Sequence, residues 1–269
     1  MNDWYTKLFD TAALIRERQP VVLNLTNSVT QDFMANVLLA IGAAPIMSND
    51  QEEVSELLNI AGAVNINIGT LNDSFAEFSA FTVKAARQRN ICTVLDPVGA
   101  GATLARTKLA NRLIPFVNIV RGNASEIISL VDNENSNKGV ENTANAKDAL
   151  QLVIASGQYS ETVTVISGKT DYVCSKDKVY INEFGTELMT KVTGMGCCLS
   201  AVVAAFAAVE SDHALAAYLA TMYYTLCADD AYQFAATPAR FKVEFIDKLY
   251  SPDWEFIKAN LEGEINHGS

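Results

Sequence analysis

Short β-branched runs alternate with segments of helical spacing along most of this chain, and that alternation limits the folds open to it more than any other feature. Val21 to Leu25, Ala63 to Ile68, Ile91 to Leu95, Phe116 to Val120 and Thr162 to Ile166 read as buried strands, each bounded by Gly, Pro, Asn or Asp. Asp73 to Arg89 and Thr143 to Ala155, between such strands, carry helical spacing. Strands separated by helices pair in parallel, because the chain must cross back before it can add the next one. The expected fold class is therefore α/β, a mostly parallel central sheet flanked by helices on both faces. Tyr172 to Cys174 and Val179 to Ile181 read as a hairpin, and Asp132 to Asn145 as an exposed loop. Beyond Gly194 the chain turns almost wholly helical, through Leu215 to Phe234 and again from Trp254 to Leu261.

Bulk properties exclude several classes. A chain of 269 residues with 49% hydrophobic and 19% charged residues can bury a sizeable core. Cys197 to Val209 is apolar apart from Ser200, yet a membrane span needs about 20 such residues, so this is a core helix. A net charge of −11 argues against a nucleic-acid partner, since phosphate backbones are bound through clustered Lys and Arg. The start Met1-Asn2-Asp3-Trp4-Tyr5 carries no basic segment followed by an apolar one, which leads us to expect a cytoplasmic protein. Five cysteines, Cys92, Cys174, Cys197, Cys198 and Cys227, lack the paired spacing of a zinc site or a disulfide framework. With His213 and His267 the only histidines, a Ser-His-Asp or Cys-His mechanism is poorly supplied.

The run Val192-Thr193-Gly194-Met195-Gly196-Cys197-Cys198 reads as a glycine loop opening into that core helix. Two glycines let backbone approach a ligand, and the first helical turn offers unpaired N–H groups and the positive end of the helix dipole. Such a terminus binds phosphate well. A plain turn before a buried helix has the same residues. What favours a ligand site is convergence: Asp96-Pro97-Val98-Gly99-Ala100-Gly101, Arg121-Gly122-Asn123-Ala124-Ser125-Glu126 and Ser167-Gly168-Lys169 each follow a strand, and ligands of open α/β sheets bind at the carboxyl ends of strands.

Each loop supplies a definable chemistry. Asp96 either holds a cation or caps a helix. Glu126 stands three residues past Asn123 in capping-box spacing, and the two carboxylates together suit Mg²⁺ beside a nucleotide polyphosphate. Arg121 can pair two phosphate oxygens or form a surface salt bridge. No G-x-x-x-x-G-K-S/T and no G-x-G-x-x-G after the first strand is present, so use of ATP would fall outside the P-loop and dinucleotide-binding classes.

These loops, together with Leu25-Thr26-Asn27-Ser28-Val29, Leu39 to Met47, and Asn67-Ile68-Gly69-Thr70-Leu71, make the sequence resemble a hydroxyethylthiazole kinase of thiamine salvage, within the ribokinase-like superfamily. The Cys after the second glycine of Gly194-Met195-Gly196-Cys197 is the discriminating position, since most ribokinase-like kinases carry Asp there. The resemblance implies one kinase domain over residues 1–269 and transfer of the γ-phosphoryl of ATP to the primary alcohol of 4-methyl-5-(2-hydroxyethyl)thiazole. It implies that Met47, Gly194 and Asn27 contact the thiazole, that Arg121 and Ser167 contact ATP, that Asp96 and Glu126 organise Mg²⁺, and that Cys197 lies beside the attacking hydroxyl. It further implies a homotrimer with the thiazole site at subunit boundaries. A thiol at a helix N-terminus has a lowered pKa, so Cys197 is expected to act as a weak base or as a positioning residue; Cys198 faces the core. The chain departs from the family in having Leu23-Asn24-Leu25 where a histidine is usual, and Gly139-Val140-Glu141-Asn142 in place of Gly-Val-Asp-Ser. The competing readings are a kinase for another small alcohol such as a hydroxymethylpyrimidine, a ribokinase-like dehydratase that uses ATP differently, a thiol-nucleophile enzyme, and a non-catalytic nucleotide-binding module.

Overall fold

A computed structural model describes residues 4–131, 145–157 and 161–265. In chain order the elements are α1 (Trp4–Arg18), β1 (Val21–Leu25), α2 (Gln31–Ile41), β2 (Ala44–Met47), α3 (Gln51–Leu57), β3 (Ala63–Asn67), α4 (Asp73–Gln88), β4 (Cys92–Asp96), α5 (Leu104–Leu113), β5 (Ile119–Asn123) and α6 (Ala124–Val131). There follow α7 (Ala146–Ser156), β6 (Val163–Ser167), β7 (Asp171–Cys174), β8 (Val179–Asn182), α8 (Met195–Ala207), α9 (His213–Phe234), α10 (Pro238–Tyr250) and α11 (Trp254–Ile265). Short 3₁₀ turns cover Ile114–Phe116 and Glu187–Lys191.

The eight strands form one sheet in the order β2-β1-β3-β4-β5-β6-β7-β8. Every pairing from β2 to β6 is parallel; β7 and β8 add as an antiparallel pair. The parallel part explains why β3 and β4 are buried at all five positions: both faces are covered, so neither strand needs a polar side. Alternate side chains serve opposite faces. Val22, Ala63, Val94 and Ile119 pack toward a layer containing α1, α2, α8, α9, α10 and α11. Leu23, Val64, Leu95 and Val120 pack toward α3 to α7.

The helix α8 has eleven of its thirteen residues buried, wedged between the strands β1, β3 and β4 and the long helix α9. Its alanines allow close approach and its apolar residues occupy the whole circumference, as a fully enclosed helix requires.

Strand order places the site. The chain adds β2 on one side of β1 and β3 on the other, so β1 and β3 flank the point where the winding direction reverses. The carboxyl ends of strands diverge there and leave a crevice.

Three expectations need correction. The segment Ala44–Met47 is a strand although it reads as none: it is four residues long and contains Pro45, which is tolerated because β2 is the sheet edge and its missing N–H faces no neighbour. The fifth strand is not Phe116 to Val120 but Ile119–Asn123, because Pro115 initiates a 3₁₀ turn over Ile114–Phe116. Arg121 and Asn123 are consequently strand residues rather than loop residues. The helix expected from Thr143 begins at Ala146 among the described residues, with Asn145 as its cap, accepting from the Asp148 N–H at 2.9 Å. Residues 132–144, read as most of an exposed loop, lie outside the described residues, as do Gly139 to Asn142 and His267.

Candidate active site

Asn67 and Asp96 end neighbouring strands and are register partners in the β3–β4 ladder. Both are buried, and the amide of Asn67 donates to Asp96 Oδ2 at 2.8 Å. From the opposite side Ser200 Oγ, on the first turns of α8, donates to the same oxygen at 2.9 Å. Asn67 Oδ1 accepts from the Gly69 N–H at 3.0 Å and from Asn27 Nδ2 at 2.9 Å. Asn27 Nδ2 also lies 3.6 Å from Cys197 Sγ. Its own Oδ1 accepts from the Val29 and Thr30 N–H groups, an Asx turn that shapes the entry to α2. A continuous polar chain therefore runs from the half-buried Cys197 through the buried Asn27, Asn67 and Asp96 to Ser200, across the reversal point of the sheet.

Burial pushes the Asp96 carboxyl up to about 7, with Glu126 adding to the rise while Arg121, Ser200 and Asn67 oppose it. Burial, and then the nearby Asp96 charge, also raise the Cys197 thiol above its ordinary value. This runs opposite to the expectation of a thiol lowered by the helix terminus, because burial disfavours the thiolate. Cys198 is fully buried in the core and its thiol is raised further, as its expected orientation requires.

The glycine loop is built as its residues dictate. Gly194 caps α8 with φ +93°, and a Cβ there would stand 2.9 Å from Thr30 Cγ2, so both backbone and space demand glycine. The first intrahelical bond is from the Cys198 N–H to the Gly194 carbonyl at 2.8 Å, leaving the N–H groups of Met195, Gly196 and Cys197 without helical acceptors. From α9, Tyr224 OH donates to the Met195 carbonyl at 2.8 Å and fixes this terminus from behind.

Arg121 lies over the same terminus: a Cβ on Gly196 would be 2.7 Å from its Nη1. It is buried and donates from Nε to Ser167 Oγ at 3.1 Å, so it is a site cation rather than half of a surface salt bridge. Glu126 forms the capping box with Asn123, Oε2 accepting from the Asn123 N–H and Asn123 Oδ1 from the Glu126 N–H, both at 2.9 Å. Its other oxygen accepts from the Gly99 N–H at 2.9 Å and so ties the β4 loop to the β5 loop. Beside Arg121 and Ser167 opens a cavity of about 380 Å³, lined among others by Asn123, Ser125, Lys147, Gly168, Lys169 and Tyr172. It lies where α6 and α7 begin, with two lysines at its wall, a setting suited to a polyanion.

Among the described residues no three His, Cys, Asp or Glu side chains cluster as a metal cage. The donor set still fits Mg²⁺. Asp96 accepts both its hydrogen bonds on Oδ2, leaving Oδ1 as a hard oxygen donor, and a Mg²⁺ that keeps its waters needs only one or two carboxylates beside phosphate oxygens.

The hydroxyethylthiazole kinase family model matches residues 12–255. A hydroxyethylthiazole kinase of Chlamydia caviae is 37% identical over 258 residues, covering 95% of this chain and 98% of its own. This chain belongs to the hydroxyethylthiazole kinase family. Among solved structures, a hydroxyethylthiazole kinase protein from Pyrococcus horikoshii superposes with a TM-score of 0.86 at 33% identity, over 94% of this chain and 96% of that one. A ribokinase-like protein from Enterococcus faecalis shares the fold, with a TM-score of 0.64 at 13% identity over 88% of this chain and 87% of its own.

In this hydroxyethylthiazole kinase family member the structure draws together Asn27, Asp96, Arg121, Glu126, Ser167, Gly194 and Cys197 on one rim of the sheet. Met47 ends the edge strand β2, beside Asn24 in the ladder, and packs half-buried against the core. Asn24, where the family usually has histidine nearby, is buried, donating to the Val22 carbonyl and accepting from Asn65. Sequence reasoning missed Asn67, Ser200 and Arg106. Arg106 donates to the Val98 carbonyl at 2.8 Å and to the Gly69 carbonyl at 2.9 Å, clamping the β3 and β4 loops together. The available signal was polarity out of place: asparagines inside an apolar strand and one hydroxyl in an apolar helix require buried partners.

Proposed function

We propose that this chain transfers the γ-phosphoryl group of ATP to the primary alcohol of 4-methyl-5-(2-hydroxyethyl)thiazole, giving the alcohol phosphate and ADP. The observation that carries the reading is the meeting of Asp96, Cys197, Arg121 and the free N–H groups of α8 at one point, between the Asn27 crevice and the cavity beside Ser167. ATP lies with its nucleoside in that cavity, its phosphates running past Ser167 and Arg121 toward the terminus of α8. The thiazole lies in the crevice near Asn27, Gly194 and Met47. The alcohol oxygen attacks the γ-phosphorus as the bond to the bridging β-γ oxygen breaks, and the N–H groups with Arg121 stabilise charge on the transferred group. Asp96, with Glu126 behind it, would hold a hydrated Mg²⁺, which would supply neutralisation of phosphate charge. Cys197, whose thiol burial keeps protonated, stands beside the attacking hydroxyl and orients it; a loose transition state releases that proton late, to an oxygen of the transferred phosphoryl group and then to water, and asks little of a base.

The expected assay result is Mg²⁺-dependent ADP release that is faster with the thiazole alcohol than with hydroxymethylpyrimidine or a sugar. Faster turnover of either competitor overturns the substrate assignment. We also propose a cytoplasmic homotrimer. The half-buried edge strand β2 and the exposed Val29 and Leu39 support an interface close to Met47.

A further inference from the structure

Asp96 is oriented by a clamp that neither the glycine loop nor the resemblance points to. Its two hydrogen-bond donors reach it from different elements, Asn67 from β3 and Ser200 from α8, and both meet Oδ2, at 2.8 and 2.9 Å. No described hydrogen bond occupies Oδ1. Asn67 and Ser200 are fully buried, so neither side chain touches solvent. Asn67 is held in turn by the Gly69 N–H and Asn27, which fixes its amide with nitrogen toward Asp96. Ser200 sits one helical turn beyond Cys197 on the same face of α8, so the helix that presents the thiol also sets the carboxylate.

We propose that Ser200 and Asn67 are positioning residues that pin one oxygen of Asp96 and thereby present only the other, in one orientation, to the reacting groups. This rests on the functional reading above. A carboxylate free to turn about its Cβ–Cγ bond would spend part of its time with neither oxygen aimed at the phosphates, and misplacement on that scale lowers turnover rather than binding.

The test compares Ser200→Ala with Ser200→Thr. The first removes the donor and lightens the packing; the second keeps the donor and adds a methyl group to a crowded helix. Ser200→Ala should lower kcat about tenfold with KM for ATP within about twofold of wild type, a loss confined to the transition state. Ser200→Thr should recover most of that rate. A purely packing role predicts the reverse order, so Ser200→Ala at the wild-type rate, or Ser200→Thr slower than Ser200→Ala, overturns the clamp. A crystal structure of Ser200→Ala reads the same point without turnover: the Asp96 carboxylate should rotate away from its wild-type plane, and an unmoved carboxylate overturns the proposal. If wild type phosphorylates no thiazole alcohol, the functional reading fails by itself, and the crystallographic comparison still decides the clamp.

Discussion

Two adjacent cysteines with opposite surroundings make the first residue-scale prediction. Cys197→Ala removes the group that orients the attacking hydroxyl and should slow single-turnover phosphorylation by roughly 10²-fold, the scale that misplacing a reacting group costs. Cys198→Ala, in the core, should leave the rate within about twofold; an inactive Cys198→Ala beside a normal Cys197→Ala would place the wrong thiol in the site. Asp96 gives the second. Its folded-state pKa stands near 7, above the ordinary carboxylate value, so the folded protein holds a proton that the unfolded chain has lost. Stability from this group therefore falls as pH rises from about 4 to about 7 and is level above that. Asp96→Asn should abolish activity yet melt higher than wild type at pH 7.5, with the difference shrinking toward pH 4.5. A variant that melts lower than wild type at pH 7.5 would contradict the buried-carboxylate account. Asp96 and Cys197 are legible in the sequence because their loops form patterns. Asn67 and Ser200 are not, because a buried amide and a buried hydroxyl take meaning only from partners that the linear chain keeps far apart.

At the scale of elements, the terminus of α8 depends on two glycines for different reasons. Gly194 has a left-handed φ and no room for a Cβ, so Gly194→Ala should cost about 1–2 kcal/mol in stability from the backbone alone, with crowding against Thr30 added. The nearest atoms to a Cβ on Gly196 belong to the flexible end of the Arg121 side chain. Gly196→Ala should leave the melting temperature within a few degrees of wild type and raise KM for ATP by about tenfold, because the guanidinium must vacate the phosphate position. Equal thermal losses in the two variants would show that the distinction is wrong. The strands also differ in how plainly they can be read. Runs dense in β-branched residues such as Val163–Ser167 declare themselves, whereas β2 is masked by Pro45 and β5 is displaced by the turn that Pro115 starts. A proline speaks about its own backbone and says nothing of the edge position that excuses it.

For the whole molecule, the alternation of strands and helices was enough to expect a parallel sheet covered on both faces, and the sheet is so built. The edge on which Met47 stands was beyond that reasoning, since an edge is defined by strand order. If β2 faces a second copy, sedimentation velocity should give a species of three times the 29.1 kDa chain mass, and replacing the exposed Leu39 by Glu should shift it toward monomer. A wild-type monomer at micromolar concentration would refute the assembly. The order of the sheet has a further consequence for how the molecule comes into being. The helix α8 covers β1, β3 and β4 on one face, yet it is encoded after all eight strands. During synthesis the first half of the sheet can acquire its helices α3, α4 and α5 on the other face as it emerges, while the side that will receive α8 has only α1 and α2. The nascent chain therefore carries a partly uncovered apolar surface from the completion of β4 until α8 is made, and the same late helix that shields it delivers Gly194, Cys197 and Ser200.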